Sequence, residues 1–181
     1  LIVHAAFGVF KYKTDAAWDR GRLALLVSLS IGTIWLPVAL LSPIWATVLI
    51  WVMLISVLIS LYQSTGAAPA WIARWPVALF AGWLSAASFV SIGLLLAGYG
   101  LTGEMMAATV ALGLATGFVA LNAYRLVDWP YAAAAAWGFV GIAVANINTS
   151  NLVAIAAAGA AIFILGLTVW RNSFLRQGAV S

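Results

Sequence analysis

Residues 23–62 read LALLVSLSIGTIWLPVALLSPIWATVLIWVMLISVLISLY, a stretch without one charged side chain and broken only at Ser42-Pro43. Its halves, Leu23 to Leu41 and Ile44 to Tyr62, are each close to the roughly 20 residues that carry a helix across a hydrocarbon core of about 30 Å. Ser42-Pro43 leaves room only for a minimal turn, and proline suits the first position of the helix that follows, so the halves fold back as an antiparallel hairpin. Lipid offers no water to backbone N–H and C=O groups, so helices are expected and open strands are not.

The pattern continues outward from this hairpin. Pro76 to Tyr99, Met105 to Tyr124, Pro130 to Asn148 and Leu152 to Trp170 are further apolar runs, joined in pairs by tight turns at Gly100 to Gly103 and Asn148 to Asn151. The result is six complete spans arranged as three consecutive hairpins. Leu1 to Phe10 is too short to cross and reads as the cytoplasmic end of a helix that begins upstream, a partial N-terminal span. It is not a signal peptide, because the positive charges follow the apolar stretch. The expected fold class is all-α, a polytopic transmembrane helix bundle.

Every Lys and Arg falls in alternate gaps between the runs: Lys11, Lys13, Arg20 and Arg22, then Arg74, then Arg125, then Arg171 and Arg176. The gaps at Ser42-Pro43, Gly100 to Gly103 and Asn148 to Asn151 carry none. Cytoplasmic loops retain Lys and Arg whereas translocated loops exclude them, so the alternation places these cations, and the C-terminus, in the cytoplasm.

Composition excludes several function classes. Hydrophobic residues make up 66% of the chain and charged residues 7%, against about 45–50% and about 25% for a soluble domain. The net charge of +4 is spread among the gaps with no aromatic-interleaved basic patch, so nucleic acid is not a partner and the lipid bilayer is. There is no cysteine, and one histidine and four acids leave metal chemistry almost without ligands. No span carries Asp, Glu, Lys or Arg in its interior, so acid–base catalysis and ion-coupled transport lack carriers. No enzyme activity is expected and no cofactor is required.

The remaining polar and special residues have local readings. Pro37 should kink the first complete span near Thr33 to Ile34. His4, the one imidazole, has the chemistry for an axial bond to a haem iron or chlorin magnesium, although a packed histidine is the commoner role. Glu104 begins a helix, where the dipole favours it. Asn122 and Asn146 are expected to bond across helices. Ala and Gly dominate the last three spans, as in Gly113 with Gly117, Ala132 to Ala136, Gly138 with Gly141 and Ala156 to Ala161, a pattern that lets helices approach closely within the chain or against another subunit. Trp18, Trp71, Trp75, Trp129 and Trp170 sit at cytoplasmic ends and Trp45 at the other face, where indoles anchor at headgroups. Trp35, Trp51, Trp83 and Trp137 lie deeper, and their N–H groups need partners or a polar pocket.

The stretch Trp83-Leu84-Ser85-Ala86-Ala87-Ser88-Phe89-Val90-Ser91 resembles the Trp-x-x-Phe-Ala-x-x-x-Asn signature in the fifth helix of the TspO/MBR family, the tryptophan-rich sensory proteins. The wider run from Arg74 to Trp83 is similar to the longer bacterial branch, with Trp35 in the place of the third-helix tryptophan and Ser42-Pro43 in that of the third-to-fourth helix turn. Ala86 stands at the signature Phe, Ser91 at the Asn, and Gly32 where short members carry Asn three residues before the tryptophan. The resemblance implies a TspO-like core over residues 1–100 and an Ala/Gly-rich extension of three C-terminal helices over residues 101–181, in a bacterial cytoplasmic (inner) membrane. It implies a pocket for a porphyrin, haem-like or chlorin-type tetrapyrrole or a sterol-like lipid, with Trp35 and Trp83 as its main walls and Trp51, Phe80, Ala87 and Phe89 as further ones. The function so implied is a sensory or ligand-trafficking membrane protein. The alternative is an accessory or assembly subunit docked by its small-residue helices onto a larger membrane complex, photosynthetic or respiratory, or onto a second copy. Ligand binding predicts a cavity enclosed by Trp35, Trp51 and Trp83; docking predicts a filled bundle with an outward small-residue face.

Overall fold

The computed structural model describes residues 1–11 and 15–178; Lys13 lies outside the described residues, as does the side chain of Arg176. The helices in chain order are α1 (Ile2–Phe10), α2 (Ala16–Asp19), α3 (Arg22–Leu41), α4 (Pro43–Gln63), α5 (Ala70–Ala73), α6 (Trp75–Gly98), α7 (Glu104–Leu126), α8 (Trp129–Asn146) and α9 (Asn151–Gly178). No strand occurs among the described residues. Boundaries follow local chemistry. Ser42 accepts a hydrogen bond from Trp45 N at 3.4 Å and Pro43 opens α4, so the minimal turn is also a helix cap. Gly100, at φ 67°, takes the left-handed conformation that reverses the chain between α6 and α7. Pro37 lies inside α3, which runs unbroken from Arg22 to Leu41.

Five stretches are long and apolar enough to cross a bilayer: Ala16–Leu41, Pro43–Gln63, Trp75–Gly98, Glu104–Leu126 and Asn151–Leu175. The expected sixth span, α8, exists as a helix of 18 residues but falls short in apolarity. Its alanines are less apolar than Leu or Ile, and it begins Trp129-Pro130-Tyr131 and ends at Asn146.

Contacts give the arrangement. α3 packs on α4 and α4 on α6, while α6 is flanked by α7 and α8, and α9 packs against both of these. The centre is therefore a ring of α6, α7, α9 and α8, to which the α3–α4 hairpin attaches through α4. One apolar cluster fills the bundle, with Leu54, Val57, Leu84, Val119, Tyr131, Phe139 and Ile164 wholly buried. The small residues of the last spans divide into two groups. Ala132, Ala135, Ala136, Ala157, Ala160 and Ala161 are buried, and a Cβ on Gly138 would stand 2.7 Å from Ala86 Cβ. A Cβ on Gly113, Gly117 or Gly141 would meet nothing within 4 Å, so these glycines face outward.

The cationic gaps meet at one end of the bundle. Arg74 forms an ion pair with Asp128, Trp75 stands edge-on to Trp129 at 5.2 Å, and the Arg171 guanidinium lies 4.6 Å from the centre of the Tyr124 ring. Tyr62 O–H donates to Asn122 Oδ1 at 3.0 Å, an interhelix bond of the kind expected of that amide. Asn146 departs from expectation, because its Nδ2 donates to Ile142 O in its own helix at 2.8 Å. Trp18 departs as well. It is buried, donates through Nε1 to Ala68 O at 3.0 Å and stacks on His4 at 5.0 Å, so it serves as the centre of a small core with Ala67, Ile72 and Ala73 and not as a headgroup anchor. Trp71, Trp129 and Trp170 remain more than half exposed at this end, as anchors should.

Candidate functional site

At the end of the ring opposite the arginines, a cleft of about 550 Å³ opens between α6, α7 and α8. Its cause is a mismatch of packing and length. On the arginine half, α6 and α8 touch almost backbone to backbone: a Cβ on Gly82 would stand 2.1 Å from Tyr131 O, and Tyr131 O–H donates to Ser85 Oγ at 2.9 Å, since the Ser85 hydroxyl proton is already given to Ala81 O at 2.8 Å. α8 then stops at Asn146, whereas α6 runs for 24 residues and α7 for 23. The far halves of α6 and α7 thus lack cover on the side where α8 lies. The side chains facing that gap are too small to fill it: Gly93, Ala97 and Gly98 from α6, Ala108 and Ala111 from α7, and Ala145 from α8.

The floor is aromatic. Phe89 lines the cleft, and behind it Trp51 and Phe118 stand 5.0 Å and 5.4 Å from the Phe89 ring in edge-on and tilted contacts. Glu104 and Asn146 supply polar atoms at the mouth. Glu104 has no side-chain hydrogen bond or ion pair among the described residues, and Asn146 gives one Nδ2 proton to Ile142 O, which leaves its Oδ1 as an acceptor and its second N–H as a donor. Arg22, Arg74, Arg125 and Arg171 belong to the opposite end of their helices or to loops there. The arrangement suits an apolar body of lipid or sterol dimensions, within the roughly 300–1,000 Å³ range of small-molecule sites. An anionic group on a ligand at this mouth would face the Glu104 carboxylate, with the remaining Asn146 N–H as a donor.

A protein-family model described as TSPO-like protein matches residues 1–170. The chain belongs to the TSPO-like family. Members of this family are generally non-enzymatic membrane proteins. The match runs beyond residue 100 through α7 and α8 and most of α9, so the helices around the cleft lie within the TSPO-like region. No curated protein and no solved structure is significantly similar to the chain.

The residues that carried the family resemblance are distributed differently from a single pocket wall. Trp35 donates through Nε1 to Ala46 O at 3.0 Å, an interaction that ties α3 to α4. Trp51 and Phe89 meet in the aromatic floor, while Phe80 and Ala87 are partly buried against the main core. Trp83 is 47% exposed and points out of the bundle. The structure therefore brings Trp51 and Phe89 together near the cleft and leaves Trp35 and Trp83 apart from it. Gly93, Glu104 and Asn146 were not legible as site residues. Glu104, an acid at the charge-free end of the spans, was the available signal, but its place at a helix start explained it without a ligand.

His4 occupies a separate niche at the arginine end. Its Nδ1 lies 3.1 Å from Ile72 O, and a carbonyl only accepts, so Nδ1 carries the proton and Nε2 the lone pair in the neutral ring. No group of three or more potential metal ligands exists among the described residues.

Proposed function

We propose that this TSPO-like membrane protein binds a hydrophobic, lipid or sterol-like ligand in the α6–α7–α8 cleft, in a sensory or ligand-trafficking role. The cleft carries this reading: a cavity of about 550 Å³, floored by Phe89 and bordered by two polar side chains, opens between α6, α7 and α8. Filling it removes apolar surface that the short α8 leaves uncovered. In this reading α8 crosses the membrane as a sixth span, because it is packed between α6 and α9 and buries Tyr131 and Phe139. The arginine end faces the cytoplasm. Photo-crosslinking tests it. In lipid nanodiscs, a long-chain alcohol bearing a diazirine should label Val90, Leu94 and Ala108 saturably, with competition by the unlabelled alcohol. Unsaturable label spread over lipid-facing Leu121 and Ile155 would refute the site.

A second reading has its own observation. Gly113 and Gly117 present a bare four-residue repeat on the outside of α7, which suits close docking of a foreign helix from a larger membrane complex or a second copy. Gly113→Leu with Gly117→Leu should then release a partner that co-purifies in mild detergent; a chain that is monomeric both before and after the change would exclude docking there.

A further inference from the structure

We infer that the occupant of the cleft is a long-chain amphiphile whose head is a protonated amine, seated at Glu104 with its chain running toward Phe89. The inference rests on the cleft being a ligand site and adds the chemistry of the head group. Three observations carry it. The mouth is richer in acceptors than in donors: Glu104 offers a carboxylate and Asn146 an amide oxygen, against the one Asn146 N–H not given to Ile142 O. Glu104 has no ion pair or hydrogen bond among the described residues, so its charge is available. Asp15, Asp19 and Asp128, the other acids, lie at the arginine end, where Arg22 pairs with Asp19 and Arg74 with Asp128. The cleft end therefore holds one carboxylate with no cationic side chain paired to it among the described residues, beside an apolar slot.

Head groups sort themselves against that inventory. An ammonium brings three donors and an opposite charge, so both acceptors are satisfied and the carboxylate is neutralised. A hydroxyl brings one donor and no charge. A carboxylate or phosphate brings none and repels Glu104 at a membrane interface, where screening is weaker than in bulk water. The long chain matches the apolar remainder of the lining, Leu94, Leu112 and Ile142 among it.

Saturable binding of dodecylamine, dodecanol and dodecanoate to the full chain in phosphatidylcholine nanodiscs, corrected with empty discs, provides the test. The amine should bind once per chain and roughly tenfold tighter than the alcohol, the scale of one charge-assisted hydrogen bond. The carboxylate should bind weakest. Glu104→Gln should bring the amine down to the level of the alcohol, while Gly98→Leu, which fills the cleft where a Cβ would meet nothing within 4 Å, should abolish both. Repeating the amine titration with phosphatidylethanolamine in the discs separates two sources of the same chemistry: competition assigns the site to a lipid amine head, and unchanged binding assigns it to a free amine. Equal affinities for all three heads, or an amine affinity untouched by Glu104→Gln, would overturn the head-group assignment and leave the cleft standing. Absence of saturable binding by any of the three would overturn the cleft itself.

Discussion

Gly82→Ala should destabilise the protein where Gly113→Ala does not, although both replace a glycine inside a transmembrane helix by the residue with the highest helix propensity. The added Cβ at Gly82 would lie 2.1 Å from Tyr131 O and 3.1 Å from Ala134 Cβ. Carbon–oxygen contacts settle near about 3.3 Å, so α6 and α8 must part by about 1 Å over the region they share. Overpacking of this kind costs about 1–3 kcal/mol. The Tyr131–Ser85 hydrogen bond is stretched by the same movement, and interhelix polar contacts in membranes average about 0.6 kcal/mol with a maximum near 1.7 kcal/mol. Both variants gain the same propensity term of about 1 kcal/mol, which cancels in the comparison. The difference between them should therefore be about 2–4 kcal/mol, with Gly82→Ala the less stable. Unfolding in mixed micelles by titrated SDS, followed by circular dichroism and tryptophan emission, measures it. Variants that agree within about 0.5 kcal/mol would mean that α6 and α8 do not approach at Gly82, and the account of why the cleft opens at the other end would fall with it.

Two further outcomes follow from the fold. Arg74 and Asp128 are paired with side chains only 11% and 14% exposed, so a double-mutant cycle of Arg74→Gln and Asp128→Asn should return a coupling of about 1–3 kcal/mol; a coupling near zero would show that the starts of α6 and α8 do not meet. The chain has no cysteine, so single replacements report topology directly: Thr65→Cys should react with an impermeant maleimide from the side of the arginines and Leu101→Cys from the other, and labelling of both from one side would contradict a spanning bundle.

Much of the architecture was legible because lipid simplifies the rules. An uncharged run of helix-spanning length, a two-residue gap with proline and an alternation of arginines leave few arrangements open, and the span boundaries agree with the helices to within a few residues, apart from α9, which runs on past Trp170. The aromatic residues were less readable. Trp18 resembles an interfacial anchor by position, yet it is buried because His4 of α1 and the loop at Ala67 and Ala68 close over it. Trp83 sits in the family signature and faces outward, since its neighbours Gly82 and Ser85 occupy the face that meets Tyr131. Position along a helix fixes depth in the membrane, but azimuth depends on which neighbour the small residues admit.

Hydropathy and turn length are properties of the chain alone, and they suffice to set this protein in lipid as a helical bundle whose consecutive spans pair through tight turns. Packing settles the rest: which glycines are contacts and which are bare surface, and that a shorter, alanine-rich α8 leaves a cleft beside α6 and α7 with Glu104 and Asn146 at its mouth. The reason is that a cavity is a difference between the lengths and crossings of helices far apart in the chain, and no local pattern encodes a difference.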